Sequence, residues 1–246
     1  MVMKLFAAIL LSLLVSACAT QPEAASPPPS AAVGKTVDAG APLVQQAAVL
    51  IAAKRPAQAL PLADQAIAYY ESTYRKSAPL VYSARWPFES MLYALEGHKA
   101  NTNSRVYGIE WGLAYFLRGF ALVDLHRLPE ARAAFDDAIK LSPRNSKYLS
   151  ERAEVDIAER NWRPALEGFQ KALEAAELSP PELKTAETTR ALRGMAFAQI
   201  ELGNLDTAQA LHERALQLDP GNEKSLNELR YIQSRKARLP GPGRPI

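Results

Sequence analysis

The chain contains a single cysteine, Cys18, among its 246 residues. No intramolecular disulfide framework can form, and no thiol pair is available for a metal or a redox cycle. Histidine is almost as scarce. His98, His126 and His212 lie at spacings that suit neither a metal-ligand set nor a nucleophile–base pair. There is no Walker-type phosphate loop and no dinucleotide-type glycine turn. An excess of one charge is also missing: 29 Lys and Arg face 26 Asp and Glu. No basic run is interleaved with aromatics, so there is no electrostatic case for nucleic acid. Val, Ile and Thr are sparse beside an abundance of Ala, which favours helix over sheet. These absences point away from an enzyme and call for no cofactor, although a site assembled only in space leaves no local motif.

What is present begins at the N-terminus. Lys4 is followed by an apolar stretch from Leu5 to Val15. A mature spanning helix needs about 20 apolar residues, so the stretch fits a cleaved signal peptide over 1–17. It ends in Val15-Ser16-Ala17-Cys18, where small residues admit a peptidase and a thiol follows as nucleophile. This segment resembles the lipobox of bacterial lipoproteins, with Val15 in place of the commoner leucine. The competing reading is an ordinary signal peptide with a chance cysteine. The resemblance implies that Cys18 becomes the lipid-modified first residue of the mature chain. Each buried methylene contributes about 0.8 kcal/mol, so two or three acyl chains hold a protein durably on a membrane where one does not. Ala19 follows the cysteine. In Gram-negative lipoproteins Asp there signals inner-membrane retention, so the resemblance implies the periplasmic face of the outer membrane. The alternatives are an inner-membrane lipoprotein or a soluble periplasmic protein. The rest of 18–40 is rich in Pro, Ala and Ser and is expected to act as a disordered linker.

From residue 41 the pattern becomes helical and repeats. Ala131, Phe135 and Ala138 shifted by 34 positions fall on Ala165, Phe169 and Ala172, and Leu128 falls on Trp162. A further shift needs nine extra residues: Ala165, Ala172 and Ala153 then fall on Ala208, Ala215 and Ala196. Pro143 and Pro220 confirm the frame. Each unit reads as two antiparallel helices, small residues allowing close approach and proline turning the chain into the next unit. The insertion is read as a capping box, Ser179-Pro180-Pro181-Glu182, opening a long helix to about Leu202. The clear units are 112–145, 146–178 and 189–222. Upstream, 41–75 fits a degenerate unit with Pro61 inside its second helix, and 77–110 is expected to be one diverged helical pair. His98 is placed in a loop there. Glu223 to Lys236 reads as a capping helix, and 237–246 as a disordered tail.

The repeating residues resemble the tetratricopeptide repeat, and the resemblance implies an all-α solenoid over 41–236. His126 and Arg160 depart from it at the turn where Gly203 keeps the usual glycine, and His212 departs at the position of Phe135 and Phe169. The three histidines are read as satisfied structural side chains, and the acidic residues as solvated helix faces. The aromatic-rich segment 82–120 is read as core rather than as a binding platform.

The family commonly binds extended peptides or helices in the groove lined by its first helices. By resemblance the groove-facing stripe is Leu113, Phe116, Phe120 and Val123, then Lys147, Ser150, Glu154 and Ile157, then Arg190, Arg193, Phe197 and Ile200. Packing against the upstream segment is the competing role for this stripe. The clamp that some members use for a terminal carboxylate finds only Arg190 suitable among Phe116, Phe120, Glu151, Arg190 and Gly194. The reading is therefore a membrane-anchored scaffold or adaptor that recruits an envelope protein or peptide. An envelope enzyme or subunit acting on peptidoglycan or polysaccharide, and a glycan or small-ligand binding module, stay open as alternatives. Cys18→Ala is expected to abolish incorporation of labelled fatty acid; continued labelling of the variant would exclude the lipobox.

Overall fold

The computed structural model describes residues 38–238, so Cys18, the signal peptide, most of the linker and the final eight residues lie outside the described part. Within it, ten α-helices and two short strands follow in the order α1 (Gly40–Ala52), α2 (Pro56–Tyr74), β1 (Leu80–Ser83), α3 (Pro87–Lys99), β2 (Ser104–Tyr107), α4 (Glu110–Asp124), α5 (Leu128–Leu141), α6 (Ser146–Ala158), α7 (Trp162–Ala176), α8 (Pro181–Glu201), α9 (Leu205–Leu218) and α10 (Glu223–Arg238). The helices pair as α1–α2, α4–α5, α6–α7 and α8–α9, each pair stacks on the next, and α10 lies on α9. This is a tetratricopeptide-type α-solenoid.

The pairs share one turn. Lys54, His126, Arg160 and Gly203 all have positive φ, between 58° and 85°. In each turn the following residue's N–H reaches back to a carbonyl in the last turn of the first helix, Arg127 to Leu122 and Asn161 to Asp156 for example. This is the left-handed helix-ending motif that glycine adopts most easily. Lys54 at this position identifies α1–α2 as a unit of the same kind, intact despite Pro61 within α2. Pro56, Pro129 and Pro181 each open a helix, where the missing N–H costs nothing.

Small residues let the helices meet. Ala131, Ala138, Ala165, Ala172, Ala208 and Ala215 are all fully buried. Gly119 faces the Phe135 ring, where a Cβ would stand 2.7 Å from ring carbons. Phe116 stacks on Tyr148 at 4.9 Å between ring centres, bridging α4 to the next unit.

Residues 77–110 depart from the expected helical pair. They form a β–α–β unit whose strands are parallel, with Leu80 opposite Ser104 and Ser83 opposite Tyr107. Parallel neighbours require a crossover, and α3 supplies it. Four-residue strands are too short for an alternation to stand out from a helical background. His98 correspondingly lies in the last turn of α3, not in a loop. The unit is tied down through Ser83, whose hydroxyl donates to the Gly108 carbonyl (2.6 Å) and accepts from the Gly112 amide (3.1 Å). Ser142 donates to the Ser83 carbonyl at 2.6 Å. The aromatics of 82–120 largely serve this packing: Tyr82 stacks on Tyr93, Tyr74 on Tyr107, and Trp111 is fully buried.

The expected capping box does not form. Pro180 occupies the N-cap of α8, and Ser179 instead hydrogen-bonds the buried Glu187. Not all acidic residues are solvated: Glu89, Glu151, Asp156 and Glu187 are buried. Arg85, just after β1, is held between Glu89 (2.6 Å) and Glu187 (2.8 Å), which joins the β–α–β unit to α8. The long helix itself is as expected, running 21 residues to Glu201.

Ala165 is fully buried in a cluster with Ala153 and Phe169. Ala165→Trp is expected to destabilise the chain by roughly 1–3 kcal/mol or more through overpacking, read as a lowered melting temperature.

Candidate functional site

Most of the residues that the repeat frame assigns to a groove fall into two groups. The α4 stripe is used internally. Phe116 is 3% exposed, and Leu113, Phe120 and Val123 pack partly buried against the same core. Phe116 touches Phe120, Phe135 and Tyr148. Lys147 remains exposed with its ammonium 5.0 Å from the Phe116 ring centre. Ser150 and Ile200 are buried.

The second group converges. Glu154 and Ile157 of α6 meet Arg190, Arg193, Gly194 and Phe197 of α8 around a cavity of about 270 Å3, closed by Phe169 of α7 and Lys224 of α10. Gly194 makes this closeness possible, since a Cβ there would overlap the Phe169 ring. Phe197 is 38% exposed and meets Trp162 edge-on at 6.2 Å. An apolar wall is thus open to solvent beside a charged one.

The charges are unevenly matched. Arg190 pairs with Glu151 at 2.9 Å and approaches Glu154 at 3.7 Å. Its Nε is buried without a hydrogen-bond partner. Burial raises the Glu151 carboxyl above the usual range, and Arg190 partly offsets this. Burial likewise raises Glu154, against the pull of Arg190, Arg193 and Lys224. Arg193 is pushed below the usual guanidinium value by burial and by Arg190, with Asp219 and Glu154 acting against that. Neither Arg193 nor Lys224 forms an ion pair among the described residues. The cavity therefore presents two cations without a direct ion pair, attracted at longer range by Glu154, next to an exposed aromatic face, an arrangement suited to a carboxylate carried beside a bulky apolar group. Lys224 escaped the repeat frame because it belongs to the capping helix, whose charges were expected to face water.

A larger cavity of about 640 Å3 lies between α3, α5, α6 and α7. Arg144 pairs there with Glu96, and Arg152 with Asp136 and Asp156, while Glu167, Lys171 and Glu174 line it without an ion pair among the described residues. No aromatic side chain lines this cavity, and acidic residues outnumber basic ones in its wall, so the smaller site is the better candidate for an anionic, apolar segment. Among the described residues no cluster of three or more His, Asp or Glu side chains could hold a metal, and no helix is long and apolar enough to cross a membrane.

His212 adjoins this site from α9 and is 1% exposed. The expectation of a satisfied side chain fails: neither ring nitrogen has a hydrogen-bond partner. It fills the slot of Phe135 and Phe169 in the other units. Burial, and then Arg193, lower its pKa to about 4 from 6.5.

The family model for the tetratricopeptide repeat matches residues 112–145, the pair α4–α5. No curated protein matches the chain. Among solved structures, MamA from Desulfovibrio magneticus RS-1 (residues 41 to its end) is 17% identical and superposes with a TM-score of 0.52 over 81% of this chain and 86% of that one. A double mutant of the RS-1 protein gives 16% and 0.54 with the same coverage. The nearly identical TPR-like repeats of a kinesin light chain candidate from Podosopora anserina give 14% and 0.50 over 80% of this chain and 96% of that one. At these identities the likeness shows the fold alone.

The lowered His212 value carries a sign. The unfolded chain binds the proton first as pH falls through about 6.5, so His212 contributes stability at neutral pH that is lost progressively between about 6.5 and about 4. His212→Phe is expected to raise the melting temperature and flatten its pH dependence in that window; an unchanged acid limb would show that another group sets it.

Proposed function

We propose that this chain is a lipid-anchored binding scaffold of the bacterial cell envelope, which holds a protein or peptide partner in the cavity between α6, α8 and α10. The observation that carries the reading is the presence of two cations without a direct ion pair, Arg193 and Lys224, beside the exposed ring of Phe197 in one cavity. Solenoids of stacked helix pairs present extended surfaces on rigid elements, which lowers the entropic cost of binding. The partner segment supplies a carboxylate to Arg193 and Lys224 and a large apolar side chain to Phe197 and Ile157. Glu154 inside the same cavity opposes a purely anionic ligand, so charge and apolar contact must act together.

The anchor half of the proposal rests on the sequence. Val15-Ser16-Ala17-Cys18 supports lipidation at Cys18, and Ala19 supports the outer membrane, with the chain facing the periplasm. A linker of some twenty residues then spaces the solenoid from the lipid surface.

The test is a photo-crosslinking residue placed at Lys147 or Arg230, away from the cavity lining, and at Phe197 within it, in cells that make the full chain. Phe197 is expected to give a discrete adduct with an envelope protein where the control positions do not. Arg193→Gln combined with Lys224→Gln is expected to reduce that adduct at least tenfold while the far-ultraviolet circular dichroism spectrum stays that of the folded chain. Adducts of equal yield at all positions, or indifference to the double substitution, would remove the cavity as the binding site.

A further inference from the structure

The two ends of the solenoid differ sharply in charge. At the C-terminal end α10 carries Glu223, Lys224, Glu228, Arg230, Arg235, Lys236 and Arg238, with Leu226 and Tyr231 exposed among them. At the other end α1 contains no charged residue at all. Lys54 and Arg55, in the α1–α2 turn, are the sole charges between residues 39 and 63. The outward stripe of α1 is Pro42, Gln45, Gln46, Val49 and Ala52, all exposed and at helical spacing. Val49 is 62% exposed, the highest value for a large apolar side chain among the described residues.

Gln45, Gln46, Val49 and Leu50 of α1 and Leu62 of α2 surround an open hollow of about 410 Å3. No residue of α4 takes part, although α4 packs on both helices. The hollow therefore lies on the side away from the next unit, at the end face of the stack. That is where a further helix would lie if the stack continued.

We propose that this end face binds the same face of a second copy of this chain, with the two α1 helices crossing close to antiparallel about a two-fold axis near Gln46. Three observations select this occupant. First, residues near a two-fold axis meet themselves, so any charge there repels its own image; the stripe has none. Gln46 can meet Gln46, because a primary amide both donates and accepts. Second, an antiparallel crossing centred on Gln46 brings Lys54 of one copy toward Asp38 of the other, whose carboxylate is held at the start of α1 by the Gly40 and Ala41 amides and the Tyr70 hydroxyl and has no cation paired with it among the described residues. Third, end-to-end stacking in the alternative sense sets α1 against α10 and strips water from charges that gain no partner. The two-fold arrangement instead leaves a charged cap at both outer ends of the doubled stack, which closes the assembly.

The experiment uses the full chain in its own membranes, with Gln46→Cys at the proposed axis and Gln170→Cys on α7 as control. Under mild oxidation Gln46→Cys is expected to give a disulfide-linked species of twice the chain mass, and Gln170→Cys is not. Val49→Glu added to Gln46→Cys is expected to reduce that species at least tenfold. Because Val49 is exposed, the melting temperature should not move, which separates a lost interface from a lost fold. Three outcomes overturn the proposal. Because acylation consumes the Cys18 thiol, a second cysteine is added at Ala25, and an intrachain disulfide from position 46 to position 25 identifies the chain's own N-terminal segment as the occupant. Release of the unacylated chain from vesicles by Val49→Glu, with no change in crosslinking, identifies a lipid surface. Equal crosslinking at 46 and 170 shows random collision. Loss of the adduct at Phe197 has no bearing on these readouts, so the two proposals fail independently.

Discussion

Helices in this chain can stack only where a side chain small enough to vanish faces one large enough to fill the gap. Six alanines at two recurring positions are fully buried, and an aromatic ring lies between them in two of the three units. Interiors pack at crystal-like density, so the pairing leaves little room for drift: a methyl group more or less at these positions is felt. The stride of 34 residues is the sequence image of that contact. The third unit is the exception that shows the constraint, because His212 occupies the ring's place with its nitrogens unbonded. Shape complementarity is kept there at the expense of polar satisfaction.

Stacking alone does not account for the β–α–β unit. It is fastened by polar contacts of high sequence separation. Ser83 and Ser142 join it to α4 and α5, and Arg85 reaches Glu187 across 102 residues. A buried arginine between two carboxylates adds little net stability relative to an apolar filling. Removing one partner is worse still, since it leaves the opposite charge buried and unpaired. The ion group therefore ties the unit to the N-terminal part of α8, the helix that carries half of the candidate site's lining.

The site in turn follows from how the cations are shared out. Arg190 is engaged by Glu151, and Arg193 lies within the field of that like charge, with Asp219 and Glu154 acting against it. Arg193 and Lys224 have no carboxylate within ion-pair distance, and Phe197 has no covering side chain sufficient to bury it. Both deficits lie in one cavity, where a single partner segment can remove them together. The uncharged α1 face is a deficit of a different kind: it lacks the charges that keep the opposite end solvated.

Local chemistry written along the chain was enough for the helical class, the stride, the units α4 to α9, the long α8 and the capping helix. Period, turn position and small–large alternation are nearest-neighbour properties, and they survive without knowledge of the fold. The same frame put Glu154, Arg190, Arg193 and Phe197 on one stripe, and they do share one cavity. It also put Phe116 on that stripe, and only packing revealed that Tyr148 of the next unit buries it. Residues 77–110 were unreadable because each strand is four residues long and is stabilised by a partner more than twenty residues away. The buried acids Glu89 and Glu187, the orphaned nitrogens of His212 and the lack of a counterion for Lys224 belong to the same class. Burial and pairing depend on which distant side chains arrive within a few ångströms, and that is settled by the tertiary structure and not by any window of sequence.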